Sequence, residues 1–108
     1  MPDINDFLVS LKDELLGFAE DNLKEYKDEL LKDGNDFAKK LKNDLERWGQ
    51  GLISGALSQK DFEFLVKGKK DLAEMEALKQ AGLGKIKINK LRDGVIGIVV
   101  NSALKTFL

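Results

Sequence analysis

Residues 31–37 read LKDGNDF, and the conformation of this stretch decides the fold. Either the chain turns back at Asp33-Gly34, with Asn35 or Asp36 capping a new helix, or a helix runs straight through. A glycine inside a helix costs about 1 kcal/mol relative to alanine, so the second reading needs support from outside the stretch. An eleven-residue repeat supplies it. Ile4, Leu15, Tyr26, Phe37 and Trp48 lie 11 positions apart, as do Leu8, Ala19, Leu30, Leu41 and Leu52. A third series, Leu23, Gly34, Leu45 and Ala56, is small or apolar throughout, although Lys12 breaks it at the start. Between these stripes Asp13, Asp21, Lys24, Asp28, Lys39, Asn43 and Glu46 fall at angles facing away. Eleven residues in three turns is about 3.67 per turn, close to a straight helix, so the apolar positions stay on one side.

The phase of the repeat is unbroken across LKDGNDF. This favours one amphipathic helix over residues 4–57, on the order of 80 Å long, with a break at 33–35 as the alternative. If the helix is continuous, Gly34→Ala should stabilise the protein by about 0.5–1 kcal/mol. The remainder divides more simply. Ser58 and Asp61 form a capping-box pattern ahead of Phe62, and Phe62, Leu65, Val66, Leu72, Ala73 and Met75 make a helical face over residues 59–81. Gly82 suits a C-terminal cap. A last helix over 86–107 carries Leu91, Val95, Ile98, Val99 and Leu104. Residues 86–88 (Ile-Lys-Ile) alternate like a strand but have no partner run. The expected fold is therefore all-α, a long N-terminal helix packed by two shorter ones, with an up-down four-helix bundle as the alternative.

Composition narrows the chemistry. The 108 residues suit a single domain, and 34% charged with 43% apolar residues is the profile of a helix-rich soluble protein. Histidine and cysteine are both missing, so Ser-His and Cys-His nucleophiles, thiolate metal sites and Glu-x-x-His di-iron sites are excluded. Residues 82–85 (GLGK) lack the first glycine and the terminal Ser or Thr of a phosphate loop. The acidic residues around Gly34 do not alternate as a calcium loop requires. Carboxylate pairs such as Asp13-Glu14 read as solvated helix surface. No catalytic residue, metal or cofactor is expected, and the chain reads as a non-enzyme.

The apolar run at residues 94–104 is too short for a membrane span, which needs about 20 residues. The first residues, MPDINDF, lack a basic region followed by an apolar run, so no secretory signal is expected and a cytoplasmic setting follows. The spacing of Gly51 and Gly55, and of Gly94 and Gly97, points to close packing between the end of the first helix and the last one. The net charge of −1 conceals an asymmetry: residues 1–36 hold eleven acidic and four basic side chains, and the rest is basic. Lys85, Lys87, Lys90 and Arg92 form a basic cluster at the start of the last helix, suited to an anion or an acidic partner. No aromatic residues interleave with it as base-stacking platforms, which argues against nucleic acid.

A continuous first helix could be covered only in part by two shorter ones. Ile4, Phe7, Leu8, Leu11, Leu15 and Phe18 would then be left for self-association, because a patch of that size exceeds what soluble monomers tolerate. The function expected is thus a helical scaffold or interaction protein that forms a homo-oligomer or binds a partner helix. The eleven-residue period is similar to that of exchangeable lipid-surface proteins such as apolipoproteins, and this resemblance implies reversible binding to a lipid surface as the alternative.

Overall fold

A computed structural model describes residues 4–22 and 24–108. Among them the chain is 86% helical with no strand, residues 86–88 included. The six helices are α1 (Ile4–Asn22), α2 (Lys27–Lys40), α3 (Lys42–Ser54), α4 (Gln59–Lys67), α5 (Glu76–Gln80) and α6 (Lys85–Phe107). The fold is all-α, as expected, but no 80 Å helix exists. The longest dimension of the molecule is 43 Å.

Gly34 is helical, near the middle of α2. The break falls earlier, where a 3₁₀ turn at Lys24–Tyr26 joins α1 to α2. Local charge explains the position. α1 has no basic residue in its last turn, and Glu20 and Asp21 instead face the negative end of the helix dipole. Asn22 closes the helix with a side-chain hydrogen bond, its Nδ2 donating to the Phe18 carbonyl at 3.0 Å. α2 then restarts with favourable polarity, Asp28 and Glu29 in its first turn and Lys39 and Lys40 in its last. The eleven-residue phase survives because a 3₁₀ turn advances about 120° per residue instead of 100°, a small slip over three residues. Tyr26, on that turn, stays half-buried, and Leu23 lies outside the described residues.

α1 and α2 therefore form a helical hairpin. Leu15 and Gly34 are equidistant from its corner and meet across it. A Cβ built on Gly34 would stand 2.6 Å from the Leu15 Cδ1 methyl. α6 packs against the other side of α1 in the opposite direction: Phe7 stacks on Phe107 with ring centroids 6.5 Å apart, and a Cβ on Gly94 would lie 2.5 Å from the Phe18 ring. α2 runs into α3 through a bend at Leu41, whose N–H is shared between the Phe37 and Ala38 carbonyls at 3.2 Å each. Trp48 on α3 meets Phe62 on α4 edge-on at 6.4 Å. The close packing expected between the end of the first helix and the last one is not made by the glycines named for it: Gly51 faces Leu57, Gly55 and Gly97 face open space, and Gly94 meets Phe18 of α1, whereas Gly49 faces the Phe107 ring.

The expected helix over 59–81 is also interrupted. Its start is as read from the sequence: Ser58 Oγ accepts from the Asp61 N–H at 3.1 Å, and Asp61 Oδ2 accepts from the Ser58 N–H at 3.4 Å. After Lys67 the chain leaves the helix through a 3₁₀ turn at Lys70–Leu72 and a left-handed Met75 (φ 57°) before α5 begins. A tertiary contact takes over there. Asp33, only 4% exposed, accepts the backbone N–H groups of Ala77 and Leu78 at 2.9 Å each. A buried carboxylate is tolerated where charge-assisted hydrogen bonds occupy both oxygens. Arg92 Nε donates to the Ala73 carbonyl at 2.8 Å from the α6 side. Gly82 (φ 95°) ends α5 as expected, with the Leu83 N–H returning to the Leu78 carbonyl at 3.3 Å.

The Leu15 contact reverses the sign expected for Gly34→Ala. Alanine gains about 1 kcal/mol of helix propensity but forces a buried leucine off its site, at about 1–3 kcal/mol for overpacking. Urea denaturation should show Gly34→Ala destabilising the native protein by about 1 kcal/mol. In a Leu15→Val background, where the two nearest methyl groups are gone, the same change should stabilise by about 0.5–1 kcal/mol.

Candidate interaction surface

The residues assigned to self-association are placed mainly indoors. Phe7, Leu11 and Leu15 are buried between α1, α2 and α6, and Ile4, Leu8 and Phe18 are half-buried against the same core. The exposure expected of them required an uncovered first helix, and the hairpin with α2 removes that condition. The angles assigned to solvent are as read: Asp13, Asp21, Lys24, Asp28, Lys39, Asn43 and Glu46 are all exposed.

The basic cluster is split. Lys85, Lys87 and Lys90 are exposed. Arg92 is half-buried and committed, its Nη1 donating to Asn89 Oδ1 at 3.0 Å while its Nε holds Ala73. Lys87 shares a depression of about 340 Å³ with Glu20, Asp21 and Glu25 at the α1–α2 corner. Part of the lysine charge thus lies beside acidic residues of the first third of the chain, with Lys24 among them.

A second surface feature lies between α4 and α6. Asp93, Ile96, Gly97, Val100, Asn101 and Leu104 line one wall of a groove of about 620 Å³, and Glu63, Lys67 and Lys70 line the other. The α6 residues recur at intervals of three and four, so they occupy a single helix face. A Cβ added at Gly97 meets nothing within 4 Å, which leaves the α6 backbone open to close approach at mid-groove. The rim carries both signs of charge, and Glu63 and Lys67 pair at 2.7 Å on α4. Phe64, 77% exposed, stands beside Glu63 on the outer side of α4. Toward its start the α6 face continues through Lys90 to Ile86, which is also 77% exposed.

This face was not singled out from the sequence, although one signal was available. Phe64 lies two residues from Phe62, about 200° around a helix, so both cannot enter the same core. α6 gave less warning, being apolar on nearly every side.

A polar tie fixes the far end of α6. Glu14, grouped with Asp13 as solvated surface, instead bridges α1 and α6: Ser102 Oγ donates to its Oε2 at 2.6 Å, and Lys105 Nζ donates to its Oε1 at 2.5 Å. Burial, the largest single influence, pushes the Glu14 carboxyl up. The hydrogen bonds from Lys105 and Ser102 and the Lys105 charge together outweigh it, and the group titrates below its ordinary value of 4.5. Asp13 is exposed.

Among the described residues no group of three or more Asp or Glu side chains is placed to hold a metal ion, and no helix is long and apolar enough to cross a membrane. No protein-family model, curated protein or solved structure matches this chain.

The Glu14 bridge has a defined pH signature. A carboxyl titrating lower in the folded than in the unfolded chain adds stability above its unfolded value, and that stability is lost as pH falls through the folded value. The stability difference between the native protein and Glu14→Gln should therefore be constant above about pH 5 and shrink below about pH 4.5. Urea midpoints of both proteins across pH 3–7 would measure it.

Proposed function

We propose that the protein is a non-enzymatic helical scaffold that works by holding a partner helix in the α4–α6 groove. One observation carries this reading. The α6 face from Asp93 to Leu104 keeps a helix-packing spacing, has an apolar floor and leaves Gly97 open, with none of the described elements laid across it. Side chains at three- and four-residue spacing interlock with a second helix, and a glycine at the crossing lets the backbones approach. An amphipathic helix fits this concave apolar surface with charged rims.

The absence of histidine and cysteine supports a non-enzymatic role, since the usual general bases and nucleophiles are missing. A lipid surface is the weaker partner. The stripe that would lie on lipid faces the core at Phe7, Leu11 and Leu15, and reaching it means opening the bundle.

The test uses a synthetic amphipathic helix of about 20 residues with leucine at the heptad a and d positions, titrated into isotope-labelled protein. Amide shifts should change along the α6 face and at Glu63, Lys67 and Lys70. Gly97→Trp fills open space in the groove, so it should abolish these changes while leaving the helical circular dichroism intact. Shifts confined to other surfaces, or unaffected by Gly97→Trp, would defeat the reading.

A further inference from the structure

We infer that residues 68–84, between α4 and α6, form a strap that opens as one unit while α1, α2 and α6 stay packed, with Asp33 as its latch. The inference does not depend on a helix occupying the α4–α6 groove. It bears on that groove all the same: Lys70 belongs to the strap and lines the α4 wall, so the wall is complete only in the closed state.

The frame does not need the strap. α2 and α6 each pack directly on α1, through Leu15 against Gly34, Phe18 against Gly94 and Phe7 on Phe107, and none of these residues lies in 68–84. The strap by contrast has little cohesion of its own. Its α-helix, α5, has five residues, too few to hold itself. What keeps it down comes from outside. Asp33 accepts the Ala77 and Leu78 N–H groups at 2.9 Å each, Arg92 Nε donates to the Ala73 carbonyl at 2.8 Å, and Lys40 Nζ donates to the Leu72 carbonyl at 3.4 Å. Closure buries Ala73, Met75 and Leu78. A segment held in this way opens at a lower free energy than the helices beneath it.

Two features oppose closure. Met75 holds φ 57° and ψ 39°, a left-handed backbone that its Cβ disfavours and that persists only where surrounding contacts impose it. The seam is also crowded with like charge. Asp33 and Asp36 of α2 and Glu74 and Glu76 of the strap line one narrow crevice with Lys40. Lys40 pairs with Glu74 at 3.3 Å and Lys32 with Asp36 at 2.8 Å, but these pairs are largely exposed, where ion pairs stabilise little. Asp33 is the buried carboxylate of the four, and its two charge-assisted bonds make it the principal hold. Gly82 (φ 95°) gives the far end of the strap a backbone that absorbs the swing.

Native-state hydrogen exchange on the full chain tests this. The Ala77 and Leu78 amides should be protected at least tenfold less than those of Val99 and Val100 in α6. Urea below the unfolding transition should barely change them while accelerating Val99 and Val100 steeply, because a local opening exposes little surface. The Ala73 and Lys79 amides, bonded to the Lys70 and Met75 carbonyls, should follow Ala77 and Leu78 as one unit. Asp33→Asn should speed exchange at Ala77 and Leu78 at least tenfold. Phe7→Leu, which weakens the frame far from the strap, should speed Val99 and Val100 at least tenfold and leave Ala77 and Leu78 unchanged. If Ala77 and Leu78 instead share the protection and urea dependence of Val99 and Val100, the segment opens only with the whole protein and the strap is overturned. A local opening indifferent to Asp33→Asn would overturn the latch.

Discussion

The approach of Leu15 to Gly34 is the contact on which the rest of the molecule depends. It allows α1 to lie flat against α2 instead of continuing its line, and any larger residue at position 34 would hold the two helices apart. With α1 turned back, its opposite side becomes a bed for α6, which crosses it with Phe107 over Phe7 and Gly94 under Phe18. Helix α1 is thus covered on two sides by its own chain. The apolar surface that a straight helix would expose is buried in the core, and a groove between α4 and α6 stays open.

Two polar groups hold the part of the chain that has least helix of its own. The segment between α4 and α6 includes a short 3₁₀ turn, a left-handed methionine and the five-residue α5. A helix that short is not stable by itself. Asp33 supplies acceptors for two of its first N–H groups from α2, and Arg92 supplies a donor to Ala73 from α6. Lys40 adds an exposed contact to Glu74 at 3.3 Å. The charged residues flanking Gly34 and the basic start of α6 thereby tie this segment down, which removes Arg92 from the patch of exposed lysines.

Helical content, the Ser58 cap, the Gly82 stop and the solvent-facing angles of the first three helices were legible because they depend on neighbours within a few residues. The corner at 24–26 was misread because the eleven-residue phase crosses it nearly unchanged, and phase alone cannot distinguish a straight helix from two helices joined by a 3₁₀ turn. Helix polarity could have: Glu20 and Asp21 close one helix against its dipole, and Asp28, Glu29, Lys39 and Lys40 frame the next with it. Gly34 was placed correctly in a helix, but its effect on stability depends on Leu15, nineteen residues away in sequence and in contact only after the hairpin forms. The break before α5 has the same origin in Asp33. The candidate site was the least legible part. α6 is apolar around most of its circumference, and which face stays open is decided by where α1, α3 and α4 pack.

The functional reading follows from this redistribution of surface. The chain has no histidine or cysteine and folds around a hairpin that buries Phe7, Leu11 and Leu15 of α1, and the groove proposed to receive a helix lies on α6, the helix with the most buried residues. The central claim beneath it is the hairpin, and a methyl-resolved nuclear Overhauser experiment tests that most directly. A cross-peak between a Leu15 δ-methyl and the Gly34 Hα protons is predicted, because the two residues are in contact across the α1–α2 interface. In a straight helix they would be about 28 Å apart. The absence of that cross-peak, with both resonances assigned and α2 intact, would contradict the fold and the placement of the open face with it.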